Sequence, residues 1–165
     1  MKISFLAIGD ELLNGRISEA NGRFLASQIS AWGLNLSYLM MVGDDELEIV
    51  RAFDFLSENS DALICTGGLG PTPDDLTTEV FAKFAGLDLE FHPEVLEQIE
   101  ARFKIRGMQM PITNKKQALI PRGARIIPNN LGTAPGYEFE RNGKHWFFFP
   151  GVPSEFQQMT KDFLL

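Results

Sequence analysis

Pairs of adjacent acidic residues follow each of three short apolar runs in this sequence. The pairs are Asp10 and Glu11, Asp44 and Asp45, and Asp74 and Asp75. Carboxylates that lie close together repel one another, and a hard divalent cation with oxygen ligands relieves that repulsion. If the runs are neighbouring strands of one sheet, the pattern predicts a cation site at their ends, with Mg²⁺ as the expected metal.

A glycine-rich stretch, TGGLGPTPDDLT at residues 66–77, joins the third apolar run to its acidic pair. Backbone without side chains can turn its N–H groups onto a phosphate at the start of a helix, so Gly67, Gly68 and Gly70 are candidate phosphate ligands. The stretch matches neither the P-loop pattern nor the dinucleotide-binding pattern. A tight strand-to-helix turn would explain the same glycines without a ligand.

The acidic residues also have a structural interpretation. Thr72 is expected to cap a helix whose first turn contains Pro73, Asp74 and Asp75. Acidic residues in a first turn stabilise a helix by roughly 0.3 to 1 kcal/mol through its dipole. For Asp74 this effect and ligand binding both stay open, whereas the positions of Asp10, Asp44 and Asp75 at strand ends favour a ligand or metal role.

Short apolar runs alternate with segments of helical period, which predicts an α/β fold with a parallel sheet covered by helices on both faces. The predicted strands are 3–8, 34–42, 62–65 and 125–127, and the predicted helices are 18–33, 45–60, 72–86, 93–106 and a segment from 153. The Asn142-Gly143 dipeptide between two further apolar runs predicts a tight antiparallel hairpin. Open α/β sheets bind ligands outside the carboxyl ends of their strands, where the acidic pairs are expected to lie.

Composition excludes several classes of partner. The 165 residues, 44% hydrophobic, suit a single domain, and 22 acidic against 15 basic residues give a net charge of -7. That charge argues against a nucleic-acid or anionic-membrane partner and for a small polar ligand. Without an apolar stretch long enough to span a bilayer or a signal-peptide pattern, a soluble, cytoplasmic protein is expected. Cys65 is the single cysteine, so no intramolecular disulfide is expected.

Six ordered stretches between positions 8 and 159 resemble the family of the competence-damage protein CinA. They are GDELLNGRISEAN, VGDDELEI, TGGLGPTPDDLT, NKKQA, GTAPG and FPGVPSEFQQM. The wider superfamily that they resemble is the molybdopterin-binding domain of molybdenum-cofactor biosynthesis proteins. The resemblance implies a three-layer α/β fold with a mostly parallel sheet and an antiparallel hairpin, formed by residues 1–165 as one domain.

The resemblance also assigns roles at the ligand site. It implies that Asp44 and Asp75 are catalytic and hold the metal beside the phosphates of a nucleotide or pterin. The residues that it implies for nucleotide and phosphate binding are Gly67, Gly68, Gly70, Thr72, Asp10, Glu11, Asn114, Lys115, Gly132, Thr133, Pro150 and Gly151. Lys115 would offset phosphate charge, although Lys115 and Lys116 are equally consistent with a solvated helix face. Glu19 departs from the family, whose members usually have aspartate there.

The family resemblance implies a metal-dependent ADP-ribose pyrophosphatase that releases AMP and ribose 5-phosphate. The alternative is a domain that binds molybdopterin or an adenylylated pterin without hydrolysis, and a third possibility is a structural or regulatory domain. The family's nicotinamide mononucleotide deamidase activity belongs to a separate C-terminal domain that this sequence lacks, so that activity is not expected. The resemblance further implies a homo-oligomer.

Overall fold

A six-stranded sheet forms the centre of the computed structural model, which describes residues 1–164. The strands of the protein are β1 (Ile3–Ile8), β2 (Leu36–Val42), β3 (Ala62–Thr66), β4 (Leu89–Phe91), β5 (Leu119–Pro121), β6 (Arg125–Ile127), β7 (Gly136–Arg141) and β8 (Lys144–Phe149). The central sheet has the order β2-β1-β3-β8-β7-β6, and β4 and β5 form a separate antiparallel pair.

The central sheet is mostly parallel, as the sequence predicts. Strand β1 pairs in parallel with β2 and β3, and β3 pairs in parallel with β8. Strand β7 runs antiparallel to both of its neighbours, β8 and β6. The predicted hairpin turn is confirmed, because Asn142 (φ 55°) and Gly143 (φ 73°) join β7 to β8 in the left-handed conformation that such turns need.

Helices cover both faces of the sheet and complete the three layers. They are α1 (Asp10–Leu13), α2 (Asn21–Ser30), α3 (Glu46–Asn59), α4 (Thr77–Ala85), α5 (Pro93–Ile105) and α6 (Pro153–Phe163), together with a 3₁₀ helix at Ile112–Ala118. One core contains Phe53 of α3 and Phe81 of α4, and the other contains Leu25 of α2 and Phe156 of α6. Alternate residues of β1 enter the two cores, which explains its uninterrupted apolar run.

Some predicted boundaries are wrong. Helix α2 ends at Ser30, before the predicted stop at Gly33, so Trp32 lies outside the helix and is 55% exposed instead of packing inward. The stretch 107–135 contains the 3₁₀ helix and β5, which were not predicted, while β6 has its predicted bounds, Arg125–Ile127. None of the helices within residues 1–164 is both long and apolar enough to cross a membrane.

Candidate functional site

A cavity of about 530 Å³ opens at the carboxyl edge of the sheet. It lies where β1 and β3 end, beside Gly9 and Gly67, with Pro150 after β8 on the same edge. Strand β1 lies between β2 and β3. The chain runs from β1 to β2 on one side and then crosses back to β3 on the other side of β1. Such a reversal of strand order opens a crevice between neighbouring loops, and the cavity occupies it.

The segment 67–76, here called the glycine loop, leaves β3 through two glycines in the left-handed conformation. Gly67 has φ 96° and Gly68 has φ 67°. The Gly67 N–H donates to the Phe149 carbonyl (3.1 Å), and the Thr77 hydroxyl donates to the Gly67 carbonyl (2.9 Å). These bonds tie the start of the loop to β8 and its end to the first residue of α4.

The glycine loop contains unpaired backbone donors in residues that line the cavity. Within residues 1–164, the N–H groups of Gly68, Leu69 and Gly70 donate to no acceptor, and all three residues line the cavity. The Gly67 N–H donates to the Phe149 carbonyl, so among the predicted phosphate donors only those of Gly68 and Gly70 are unpaired. Three consecutive free N–H groups can receive an anion.

The helix after the glycine loop begins later than predicted. Helix α4 starts at Thr77, so Thr72 does not cap it and neither Asp74 nor Asp75 lies in its first turn. Asp75 instead accepts two hydrogen bonds through Oδ2, from the Thr72 N–H (2.8 Å) and the Thr72 hydroxyl (2.7 Å). The Asp75 N–H also donates to the Thr72 carbonyl (3.1 Å), so residues 72–75 form a turn of their own before the helix.

Gly70 lets the Asp75 carboxylate lie directly against the glycine loop. A Cβ atom at Gly70 would come within 2.6 Å of Asp75 Oδ2, which is shorter than atoms can approach without moving. Asp75 Oδ1 accepts no hydrogen bond from the part of the chain that is described. One oxygen of Asp75 therefore shapes the loop and the other is left for a ligand.

Asp10 and Asp44 join the ends of β1 and β2 through reciprocal hydrogen bonds. The Asp44 N–H donates to Asp10 Oδ1 (2.9 Å), and the Asp10 N–H donates to Asp44 Oδ2 (3.0 Å). Asp45 has a different role, because its side chain accepts from the Glu48 N–H and caps α3. Asp44 therefore lines the cavity, whereas Asp45 caps the helix.

Partial burial raises the pKa of Asp44 above its ordinary value. The hydrogen bond from the Asp10 N–H acts in the opposite direction, and the negative charges of Asp10, Glu11 and Asp75 raise the pKa further. The sequence-based expectation that the strand ends bring carboxylates together is confirmed for these residues. Charge repulsion in this cluster is the condition under which a cation would bind favourably.

The cavity wall is strongly acidic. Its carboxylates belong to Glu11, Glu19, Asp44, Asp74, Asp75 and Glu155, and no lysine, arginine or histidine is among its described lining residues. Asp44 Oδ1 and Asp75 Oδ1 are hard oxygen donors without a hydrogen-bond partner in residues 1–164, which suits Mg²⁺. No three Asp, Glu, His or Cys side chains in the same residues are arranged as a ready-made metal site.

The predicted residues divide into those that reach the cavity and those that do not. Glu11, Asp44, Gly67, Gly68, Gly70, Thr72, Asp75, Thr133, Pro150 and Gly151 line it, whereas Asp10, Asn114, Lys115 and Gly132 do not. Asn114 is buried and donates through Nδ2 to Gln117 Oε1 (2.9 Å), and Gln117 is the residue that reaches the cavity. Lys115 points to solvent.

Lys116, the neighbour of the predicted Lys115, anchors the glycine loop. Its Nζ donates to the carbonyl oxygens of Thr72 (2.9 Å) and Asp75 (2.7 Å) and lies 3.7 Å from Glu79 Oε1. The Lys-Lys pair in the sequence cannot show which of two adjacent residues faces the protein, because a 3₁₀ helix turns them to different sides.

Lys116→Met should loosen the glycine loop and Lys115→Met should not. Losing the two charged hydrogen bonds should cost about 2 kcal/mol of local stability, or roughly thirtyfold in the opening equilibrium. Amide hydrogen exchange at Thr72 and Asp75 measures this opening, and it should accelerate only in the Lys116 variant. Equal exchange rates in the two variants would mean that Lys116 does not hold the loop.

Several polar residues that line the cavity are absent from the predicted site. Glu19, Asn21 and Glu155 are among them. Glu19 and Asn21 lie just before and at the start of α2, and Glu155 lies in the first turn of α6. The motifs contained them, but only the placement of two helix starts beside the glycine loop shows that they face one space.

Comparisons with known proteins agree with this architecture. Residues 4–165 match the family described as a probable molybdopterin binding domain. The protein CinA from Thermoplasma acidophilum is 36% identical with a TM-score of 0.88, and the match covers 98% of this chain and 94% of that one. The molybdopterin biosynthesis enzyme MoaB from Thermus thermophilus shares the fold, with a TM-score of 0.62 at 16% identity over 99% and 89% of the two chains.

A CinA-like protein from Cyanothece sp. is 46% identical over 158 residues, which is 95% of this chain. The chain spans 38% of the length of that relative. The family match over nearly the whole chain and the close agreement with a solved CinA structure lead to one assignment. The chain belongs to the CinA family, within the molybdopterin-binding-domain superfamily.

Proposed function

We propose that this domain binds a phosphorylated pterin of the molybdopterin class, with the phosphate on the glycine loop. The observation that carries the proposal is the row of free N–H groups at Gly68, Leu69 and Gly70, three residues that line a cavity at the strand-order reversal. A cavity of about 530 Å³ is large enough for a pterin with its phosphate. Family membership supplies the class of ligand.

Asp44 and Asp75 would hold a divalent cation, with Mg²⁺ as the expected ion. Each has an oxygen without a hydrogen-bond partner among the described residues, and both line the cavity beside the glycine loop. The cation would offset the charge of both the carboxylates and the phosphate, which otherwise share one crevice. We therefore expect binding to depend on Mg²⁺.

Hydrolysis of ADP-ribose is the second candidate function. The carboxylate oxygens of Asp44 and Asp75 that have no hydrogen-bond partner among the described residues, beside the glycine loop, favour it. In this reaction water adds to one phosphorus, the bridging P–O bond breaks, and AMP and ribose 5-phosphate leave with the water's atoms shared between them. The backbone N–H groups would bind phosphate oxygens and stabilise the charge that develops on them. Cation chemistry would contribute charge neutralisation and water activation.

Calorimetric titration distinguishes these functions. Hydroxymethylpterin phosphate should bind in Mg²⁺ at least about tenfold more tightly than unphosphorylated hydroxymethylpterin, because only the phosphate reaches the glycine loop. ADP-ribose is titrated in parallel, and chromatography measures AMP release. Equal affinity with and without the phosphate would contradict the pterin proposal, and absence of AMP would exclude the hydrolase.

The homo-oligomer stays a prediction, as does the cytoplasmic location. The surface best suited to subunit contact is the edge strand β2, which exposes Tyr38, Leu39 and Met41. An edge strand with apolar side chains and unpaired backbone groups is a frequent site of association.

A further inference from the structure

Asn21 carries a buried hydrogen-bond acceptor that nothing in residues 1–164 satisfies. The residue is 5% exposed and lines the cavity. Its Nδ2 donates to the Gly151 carbonyl (2.9 Å), and because a carbonyl oxygen only accepts, this bond fixes the orientation of the amide. The opposite atom, Oδ1, has no partner. Oδ1 is itself buried, so a ligand donor reaches it only if the side chain shifts, and that donor would recover the about 1 to 3 kcal/mol that an unsatisfied buried acceptor costs.

Two carboxylates on the cavity wall are also only half used. Glu19 Oε1 accepts from the Gly22 N–H (2.8 Å), and Glu155 Oε2 accepts from Asn129 Nδ2 (2.7 Å). The other oxygen of each carboxylate accepts no hydrogen bond within the described chain. Glu19 lies just before the start of α2, and Glu155 lies in the first turn of α6.

Glu19, Asn21 and Glu155 form an acceptor-rich wall of the cavity, and this wall adjoins the glycine loop. Gly151, which accepts from Asn21, packs so closely on the loop that a Cβ atom at Gly151 would lie 3.3 Å from Gly67 Cα. The loop beyond Gly67 offers donors and the wall offers acceptors. A ligand with an anionic end and an end rich in N–H groups matches this polarity, whereas a phosphate against Glu19 or Glu155 would be repelled.

We propose that Glu19, Asn21 and Glu155 form a ring-recognition subsite that accepts hydrogen bonds from the 2-amino-4-oxo edge of a pterin. This inference rests on the proposed function and names the part of the ligand that would form hydrogen bonds with the wall. The pterin edge presents a ring N–H next to an amino group, so two donors face the wall side by side. Adenine presents an amino group next to a ring nitrogen that only accepts, and that nitrogen would face another acceptor.

The matched probes are hydroxymethylpterin phosphate and its lumazine counterpart, in which a 2-oxo group replaces the 2-amino group. Both carry the same phosphate, so their affinities differ only through the ring edge. Wild-type protein should bind the pterin at least about tenfold more tightly in Mg²⁺, because a site built for a donor discriminates against an analogue without it.

Glu155→Gln should replace one hydrogen-bond acceptor of the wall by a donor. Asn129 Nδ2 can donate only to the new amide oxygen, so the new amino group would face the ring. Pterin affinity should fall about tenfold and lumazine affinity should hold or rise, which reduces the preference to about threefold or less. Glu58→Gln on the exposed side of α3 is the control and should keep the wild-type preference. If the Glu155 variant melts well below wild type, Glu19→Gln replaces it, with the same expected loss of preference.

The outcomes separate the subsite from the proposed function. If wild type binds both phosphates equally, or if the preference survives in the folded glutamine variant, the ring-recognition subsite is wrong while phosphate binding stands. If neither phosphate binds, the proposed function fails and the subsite fails with it. A preference for the pterin that disappears only in the cavity variant supports the assignment.

Discussion

Gly67→Ala should destabilise the domain by roughly 3 kcal/mol or more, from backbone strain and overpacking together. Gly67 has φ 96°, a conformation that side chains other than glycine rarely adopt. A Cβ atom there would also overlap the Ile8 carbonyl oxygen, which belongs to the backbone of the neighbouring strand and cannot rotate away. The substitution would therefore force β1 and β3 apart at the cavity.

Gly123→Ala provides the matched control. Gly123 has φ 82°, but a Cβ atom there would meet nothing within 4 Å. Its cost should be about 1 kcal/mol, from backbone strain alone. Urea unfolding monitored by tryptophan fluorescence measures both variants. Equal losses would show that strain alone acts at Gly67 and that the strand contact does not require glycine.

Asp44→Asn should raise stability at neutral pH while it removes the magnesium dependence of binding. The folded pKa of Asp44 is raised, mainly by burial, so the native state takes up a proton more readily than the unfolded state. Stability from this group is present below the unfolded pKa and is lost as the pH rises through the folded value. An asparagine stays neutral, so the variant keeps that stability at pH 7.

Thermal unfolding in EDTA measures the stability effect. The melting temperature of Asp44→Asn should exceed that of wild type at pH 7, and the difference should disappear as the pH falls toward the ordinary aspartate value of 3.8. An asparagine oxygen can still accept from the Asp10 N–H, so the hydrogen bond at the strand ends need not be lost. A lower melting temperature at pH 7 would mean that the charge on Asp44 does not oppose folding.

The same variant tests the cation. Wild type should gain at least about tenfold in affinity for hydroxymethylpterin phosphate when Mg²⁺ replaces EDTA, and Asp44→Asn should gain about threefold or less. Asp54→Asn on the exposed side of α3 is the charge-matched control and should behave as wild type. If all three proteins gain equally, Asp44 does not hold the cation.

The sequence predicts β1 and β3 well because both strands are buried along their whole length. The apolar run of β1 and the Asn142-Gly143 turn each have a strong local signal. The helical period of apolar residues predicts that Trp32 belongs to α2, but the helix ends at Ser30. Periodicity alone therefore does not fix the end of a helix. The start of α4 shows a second limit, because Thr72 followed by Pro73 is a favourable helix start by sequence, whereas the helix begins at Thr77.

The candidate site is predictable in part for the same reason. Residues placed directly by strand ends, such as Asp44 and Gly68, lie where the sequence suggests. The occupied N–H of Gly67 depends on Phe149 of β8, a strand that is distant in the sequence and adjacent only in the folded sheet. Glu155 and Asn21 enter the site because α6 and α2 pack on the same face of the sheet, a tertiary fact without a local signal.

Amide chemical-shift mapping tests the central claim most directly, because it locates the phosphate contact on the backbone. ¹⁵N-labelled protein is titrated with hydroxymethylpterin phosphate in Mg²⁺. The account predicts the largest shifts at the free N–H groups of Gly68, Leu69 and Gly70, with a smaller shift at Gly67, whose N–H remains bonded to Phe149. Saturable shifts that leave these three amides unmoved would contradict it and place the phosphate elsewhere.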